Sequence, residues 1–98
     1  MSTSPLHPRY RIFETRQFQK DLQRIAKSGQ AEVAGKLRRV VYPQPSQSPY
    51  FGPNVRKLKG YAPETWRYRI GAWRFFYEID EAESVVSMIA ASHRGSAY

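Results

Sequence analysis

Three arginines alternate with aromatic residues in the segment Trp66–Asp80, in a pattern that suits the binding of an anion. Two strand-like runs flank Gly71-Ala72, a pair that fits a type II′ hairpin because glycine readily adopts positive φ. A two-residue loop sets Arg69 opposite Arg74, and period-two alternation puts Arg67 on the same face. Because guanidinium groups bind phosphate oxygens through paired hydrogen bonds, this face is predicted to bind a phosphate-bearing ligand.

The alternative is that these arginines form an ordinary solvated face. Like charges directly opposite each other on a sheet destabilise it by about 0.2–1 kcal/mol. Arg67 lies diagonally across from Glu78 and could pair with it, which would need no ligand. Arg69 and Arg74 have no acidic neighbour at matching positions of the hairpin, and this favours the anion-binding interpretation.

Other basic residues are candidates for the same chemistry. His93 has an ordinary pKa of about 6.5, which suits proton transfer, but a lone histidine at a strand end is more often structural, and that interpretation is favoured. Alternation puts His93 and Arg94 on opposite faces, so at most one of them faces the arginines. Lys57 and Lys59 share one side of the strand candidate at 55–61, where protection of a sheet edge explains them at least as well as phosphate binding.

Composition limits the class of protein. The 98 residues carry 16 Lys and Arg against eight Asp and Glu, a net charge of +8, which favours nucleic acid, an acidic protein or an anionic membrane surface as partner. With no cysteine and two histidines, neither a metal site nor a cofactor is expected. The chain shows no signal-peptide core and no membrane-spanning apolar run, so we expect a cytoplasmic protein.

The pattern of hydrophobic residues predicts an α+β domain that spans residues 1–98, with residues 1–8 as a flexible tail. Its expected order is β-α-α-β-β-β: an antiparallel sheet of about four strands with an N-terminal helical hairpin on its aromatic face. Thr15 is predicted to cap the first helix, Pro43 to end the second, and residues 43–54 to form a loop. The apolar stripes of the two helices are Phe18, Leu22, Ile25 and Ala26, then Val33, Leu37, Val40 and Val41.

These segments, in this order, resemble the RelE/ParE superfamily of toxins from type II toxin–antitoxin systems, and the RelE branch more closely. The resemblance runs from about Tyr10 to Tyr98. It is carried by Phe18-Gln19-Lys20-Asp21-Leu22, Lys57-Leu58-Lys59-Gly60, the hairpin Trp66–Asp80, and His93-Arg94 followed by Tyr98.

The resemblance implies a ribosome-dependent endoribonuclease that cuts messenger RNA by attack of a ribose 2′-hydroxyl on the adjacent phosphate. Matched by position, the implied catalytic residues are Arg67, Arg69, Arg74, Arg94 and Tyr98. The implied RNA-binding residues are Lys57, Lys59 and His93. RelE has lysines where this chain has Arg67 and Arg69, so the general base stays open between Tyr98, His93 and no dedicated group.

The resemblance also defines the alternatives and the partners. A ParE-like inhibitor of DNA gyrase without nuclease activity is the second hypothesis, and an RNA-binding module that does not affect growth is the third. Under either toxin hypothesis a cognate antitoxin is implied, with a flexible acidic segment that would neutralise the basic surface. Messenger RNA and the ribosome are the other expected partners, with no membrane and no small-molecule cofactor.

Overall fold

A computed structural model describes residues 9–94. The elements, in chain order, are β1 (Arg11–Glu14), α1 (Arg16–Lys27), α2 (Val33–Lys36), a π-helical turn (Leu37–Val41), α3 (Pro43–Gln47), β2 (Val55–Lys57), β3 (Trp66–Ile70), β4 (Trp73–Asp80) and β5 (Val85–His93). The strands form a single five-stranded sheet in the order β1-β5-β4-β3-β2.

The α+β class is confirmed, but the predicted sheet of about four antiparallel strands is wrong in detail. The sheet is mixed, because β1 pairs parallel with β5 while the other neighbours are antiparallel. Strands β2 to β5 follow one another along the chain, and short connections make them antiparallel. Strand β1 joins the sheet out of chain order, so no hairpin fixes its direction. The alternation of residue types alone could not predict that β1 pairs parallel with β5.

The first helix begins and ends close to the predicted positions. Thr15 is its N-cap, and the Thr15 side chain accepts a hydrogen bond from the Phe18 amide at 3.2 Å. Phe18 and Ile25 are buried, and Gly29 follows the helix with φ of 105°. The apolar spacing and the capping residue were therefore sufficient to predict this helix.

The second helical segment differs from its prediction in two ways. Residues Leu37–Val41 form a π-helical turn, which is wider than an α-helical one, so Val41 is fully buried while Val40 is 40% exposed. Pro43 does not end the helical region: it begins α3, where its missing N–H and fixed φ are tolerated. The predicted loop is correspondingly shorter, from residue 48 to 54.

The core lies between the helices and one face of the sheet, called here the inner face. Phe75 and Tyr77 on β4, with Val86 and Met88 on β5, are fully buried there beside Phe18 of α1. The opposite face of the sheet, called here the outer face, carries the residues that alternate with these. The predicted division into an aromatic face and an arginine face is thus observed.

A β-bulge in β5, at its pairing with β4, determines which residues at the end of β5 lie on the inner face of the sheet. Phe76 pairs with Ala90 but Tyr77 pairs with Met88, so Ile89 is an extra residue on β5. Beyond the bulge the alternation is inverted, and His93 pairs with Trp73 on the inner face.

The carboxylate of Asp21 on α1 fixes the segment of β5 next to the bulge. Strand β1 ends at Glu14, opposite Met88, so the rest of β5 lacks a strand neighbour on that side. There the buried Asp21 accepts a hydrogen bond from the Ala91 amide at 2.9 Å through Oδ2. Its Oδ1 accepts from Arg24 at 3.1 Å, which keeps the carboxylate paired.

Replacement of Asp21 by Ala should therefore destabilise the protein by about 1–3 kcal/mol, because the buried Ala91 amide loses its acceptor. Urea unfolding followed by circular dichroism measures the change. Asp21→Asn retains an acceptor oxygen and should lose less. Equal losses in the two variants would contradict the assigned hydrogen bond.

Glu81, in the turn between β4 and β5, binds two tyrosines from distant parts of the chain. Its Oε1 accepts from the Tyr50 hydroxyl at 2.7 Å and from the Tyr10 hydroxyl at 2.9 Å. The hydrogen bond from Tyr50 makes the largest contribution, followed by that from Tyr10, and together they lower the pKa of the Glu81 carboxyl below its ordinary value of 4.5. The same contact raises the pKa of Tyr50 to about 12. The turn thus holds the residues before β1 and the loop after α3.

The lowered pKa of Glu81 predicts a pH-dependent contribution to stability. The folded state favours the ionised carboxylate of Glu81. Its contribution to the free energy of unfolding is therefore complete well above pH 4.5, and it is lost as the pH falls through the lowered pKa of Glu81. Glu81→Gln should therefore be less stable than the wild type at pH 7, with a difference that shrinks in acid. Urea unfolding at pH 7 and pH 3 tests this, and an unchanged difference at both values would contradict it.

Candidate phosphate-binding face

The hairpin of β3 and β4 has the predicted register. Arg69 lies opposite Arg74 and Ile70 opposite Trp73 across the turn. Gly71 has φ of 58°, whereas Ser84 is the only non-glycine residue with positive φ between residues 9 and 94. Ala72 therefore has negative φ, as a type II′ turn requires.

A fourth arginine joins this face from strand β2. Arg56 lies directly opposite Arg67, so the two share the outer face with Arg69 and Arg74. These four residues are called here the arginine face. Arg56 was not predicted to lie on this face, because the sequence alone does not define the partner and register of β2. The alternation of Arg56 with Lys57 did indicate that the two side chains lie on opposite faces.

Arg67 is the residue of the arginine face whose charged form is most clearly destabilised by its surroundings. Its side chain is half-buried, and its buried Nε has no hydrogen-bond partner among the described residues. Burial lowers the pKa of the Arg67 guanidinium, and the charges of Arg56, Arg69 and Arg74 lower it further. An unpaired buried donor costs about 1–3 kcal/mol, which adds to the cost of the repulsion on this face.

The proposed pairing of Arg67 with Glu78 is not observed. Within residues 9–94 the ion pairs closer than 4.0 Å are Arg24 with Asp21 and Lys57 with Glu64, neither of which involves the arginine face. The four guanidinium groups therefore repel one another without a neutralising carboxylate among the described residues.

The structure separates the two residues at the end of β5. His93 lies edge-on to the ring of Trp73 on the inner face, with 5.4 Å between ring centroids. Ser92 lies opposite Arg74 on the outer face, and alternation places Arg94 on that face as well. The Arg94 amide donates to the Ala72 carbonyl at 2.7 Å, which ties it to the hairpin turn. Arg94, and not His93, is thus brought towards the arginine face.

The two lysines and Tyr98 are not brought to this face by the described structure. Lys57 lies opposite Trp66, away from Arg56, and its Nζ contacts Glu64 at 3.0 Å. Lys59 lies in the exposed connection after β2. Tyr98 lies outside the described residues. Their predicted roles in RNA binding and catalysis stay predictions.

The arrangement supplies fixed positive charge and hydrogen-bond donors. Guanidinium groups stay protonated at neutral pH, so they can hold an anion and stabilise charge that develops on it, but they cannot accept a proton. Among residues 9–94, no three His, Cys, Asp or Glu side chains form a group that could hold a metal ion. The residue types of the arginine face suit the binding of an anion.

A family model agrees with this combination of fold and basic face. Residues 12–98 match the model of the ParE toxin of the type II toxin–antitoxin system parDE. The chain belongs to this toxin family. The resemblance to the RelE/ParE superfamily predicted from the sequence is therefore confirmed, and the protein is a toxin of the type II class.

Solved structures of related toxins share the fold. The RelBE2 toxin–antitoxin complex from Mycobacterium tuberculosis matches with a TM-score of 0.72 and 21% identity, covering 89% of this chain and 99% of the other. The YoeB/ParE toxin from Agrobacterium tumefaciens matches with a TM-score of 0.66 and 18% identity, covering 85% and 96%. A mutant of the Escherichia coli toxin RelE in the free state gives a TM-score of 0.63 and 20% identity, covering 88% and 84%.

No curated protein matches the toxin's sequence significantly. In residues 9–94, no helix combines the length and the apolar character that crossing a membrane requires.

The repulsion within the arginine face predicts the effect of neutral substitutions on stability. Arg69→Gln or Arg74→Gln should leave the toxin as stable as the wild type or more stable, by about 0.2–1 kcal/mol, because each removes a like-charge pair. The double variant should gain little more, since the first substitution already removes the repulsion. Urea unfolding at low salt measures this, with Arg39→Gln on the helical side as control. Destabilisation by either single substitution would show that the arginines support the fold.

Proposed function

We propose that this toxin is a ribosome-dependent endoribonuclease that cuts messenger RNA and so inhibits translation. The observation that carries the proposal is the arginine face, where Arg67, Arg69 and Arg74 lie together without a carboxylate among the described residues. Such a face suits a phosphodiester whose negative charge grows during cleavage.

The proposed reaction is attack of a ribose 2′-oxygen on the adjacent phosphorus. A new O–P bond forms, the bond to the 5′-oxygen of the next nucleotide breaks, and that oxygen takes up a proton from the protonated base or from water, which leaves a cyclic phosphate and a free 5′-hydroxyl. Arg69 and Arg74 lie on adjacent strands, where they can hold the non-bridging phosphate oxygens. Arg94 adds a third cation from the end of β5.

The proton of the 2′-hydroxyl needs an acceptor other than these arginines. The contact of His93 with Trp73 on the inner face argues against that residue. We assign the role to Tyr98 on its family position alone. Groups of the ribosome are the alternative acceptor, and they would also explain a requirement for the ribosome.

The partners follow from the same proposal. A cytoplasmic toxin with a net charge of +8 would be held inactive by a cognate antitoxin whose acidic segment covers the arginine face. The solved RelBE2 structure is a toxin–antitoxin complex, which supports an antitoxin partner here.

A translation reaction with purified components tests the nuclease proposal. The wild-type toxin should cut a message only when ribosomes are present, with new 5′-hydroxyl ends. Arg69→Gln and Arg74→Gln should lower the cleavage rate by about 100-fold or more, because each removes a donor to the transition state. Arg39→Gln, an exposed arginine away from this face, should cut normally.

Inhibition of DNA gyrase is the second candidate function, and the match to the ParE family model is the observation that favours it. This candidate predicts gyrase-dependent DNA damage on expression, with messages left intact. Growth arrest with intact messages would remove the nuclease proposal and support the gyrase one. A protein that binds RNA but neither cuts messages nor arrests growth would remove both.

A further inference from the structure

The arginine face contains two cross-strand pairs. Arg69 lies opposite Arg74 across β3 and β4, at the position where the nuclease proposal puts the reacting phosphate. Arg56 lies opposite Arg67 across β2 and β3, and nothing assigned so far uses Arg56. A second like-charge pair beside the first needs its own explanation.

A preformed groove runs beside the pair of Arg56 and Arg67 and reaches Arg69 of the other pair. Arg56, Arg67 and Arg69 line an open groove of about 630 Å³ beside β2 and β3, bordered by Asn54 and Gly71. The Arg69 amide donates to the Asn54 carbonyl at 2.9 Å, so the backbone at this wall is fixed before any ligand binds. The Asn54 side chain also donates to the hydroxyl of Tyr68 at 3.3 Å.

Arg67, which lines the groove, has an unmet hydrogen-bonding requirement. The buried Nε of Arg67 has no acceptor among the described residues, and the guanidinium group directly opposite belongs to Arg56 and offers none. Lys57, the next residue, faces away and contacts Glu64, so it does not serve this site. An anion between Arg56 and Arg67 would accept hydrogen bonds from their guanidinium groups and remove the repulsion between them.

The distance between the pairs matches an extended nucleic-acid backbone. Arg67 and Arg69 are two residues apart on β3, about 6.6 Å, and the pairs are also offset by one strand spacing of about 4.8 Å, so their centres lie about 8 Å apart, a distance that the long side chains can shorten. Successive phosphates of a stretched single strand lie at a comparable separation. One strand of RNA can therefore place one phosphate at each pair without bending.

We propose that Arg56 and Arg67 form a second phosphate-binding subsite, which holds the backbone phosphate next to the one held by Arg69 and Arg74. The ligand is a single RNA strand with at least two successive phosphates. This inference rests on the proposed function for its ligand. Arg56 is a binding residue here and takes no part in the bond-breaking step.

Binding of RNA that cannot be cut tests the subsite separately from catalysis. The probes are 2′-O-methyl oligouridylates with one and with two phosphates, because they lack the attacking 2′-hydroxyl. In the wild type, the second phosphate should strengthen binding by about tenfold or more, as a charge-assisted contact does. Arg56→Gln should lose that gain, and the slope of log K against log salt should fall by about 0.7 for the longer probe.

Two further variants control the measurement. Arg56→Lys retains the charge but loses the paired donors, so it should fall between the wild type and Arg56→Gln. Arg39→Gln removes an equal charge from the helical side and should behave as the wild type. Circular dichroism confirms that each variant is folded, which we expect since the substitutions at Arg56 relieve repulsion or preserve the charge.

The outcomes separate this inference from the nuclease proposal. If Arg56→Gln and Arg39→Gln show the same gain and the same salt slope, the subsite is wrong even when the wild type cuts messages. If the wild type binds the probes as expected but cuts no message, the nuclease proposal fails and the subsite stands. Failure of the wild type to distinguish the two probes would also overturn the subsite.

Discussion

Repulsion among four guanidinium groups on one face of the sheet is the constraint on which this account depends. Arg56, Arg67, Arg69 and Arg74 lie in two directly opposed pairs, and the described structure provides no carboxylate within ion-pair distance. Folding brings these charges together at an energetic cost, because the paired positions are fixed by the backbone. A bound polyanion removes that cost, which connects a destabilising feature of the fold with its proposed use.

The rest of the fold fixes the position of the arginine face through the turn, the bulge and the helix packed on the inner face. The turn at Gly71 sets the register of β3 and β4, and the bulge at Ile89 puts His93 on the inner face and Ser92 on the outer face. Asp21 binds the amide of Ala91 just beyond that bulge, so helix α1 reaches the strand that carries Arg94. The motif around Asp21 that supported the family resemblance thus has a structural explanation.

Local patterns predicted the local structure well. The turn residues predicted the register of the hairpin, and Thr15 together with the apolar spacing predicted α1. Both structures depend on residues that are close together in the chain. Properties that depend on distant segments were missed: the parallel pairing of β1, the inversion after Ile89, and the pairing of Arg56 with Arg67. Pro43 was misread because a proline that cannot continue one helix can begin the next.

The most direct measurement is a titration of the arginine Nε–Hε signals by NMR, with the two-phosphate 2′-O-methyl oligouridylate as ligand. The signals of the four residues of the arginine face should shift together, the Arg67 signal should move most, and added salt should reverse the shifts. Arg39 should not respond. Equal, weak shifts of all arginines, or no response from Arg67, would contradict the central claim that this face is built to bind a polyanion.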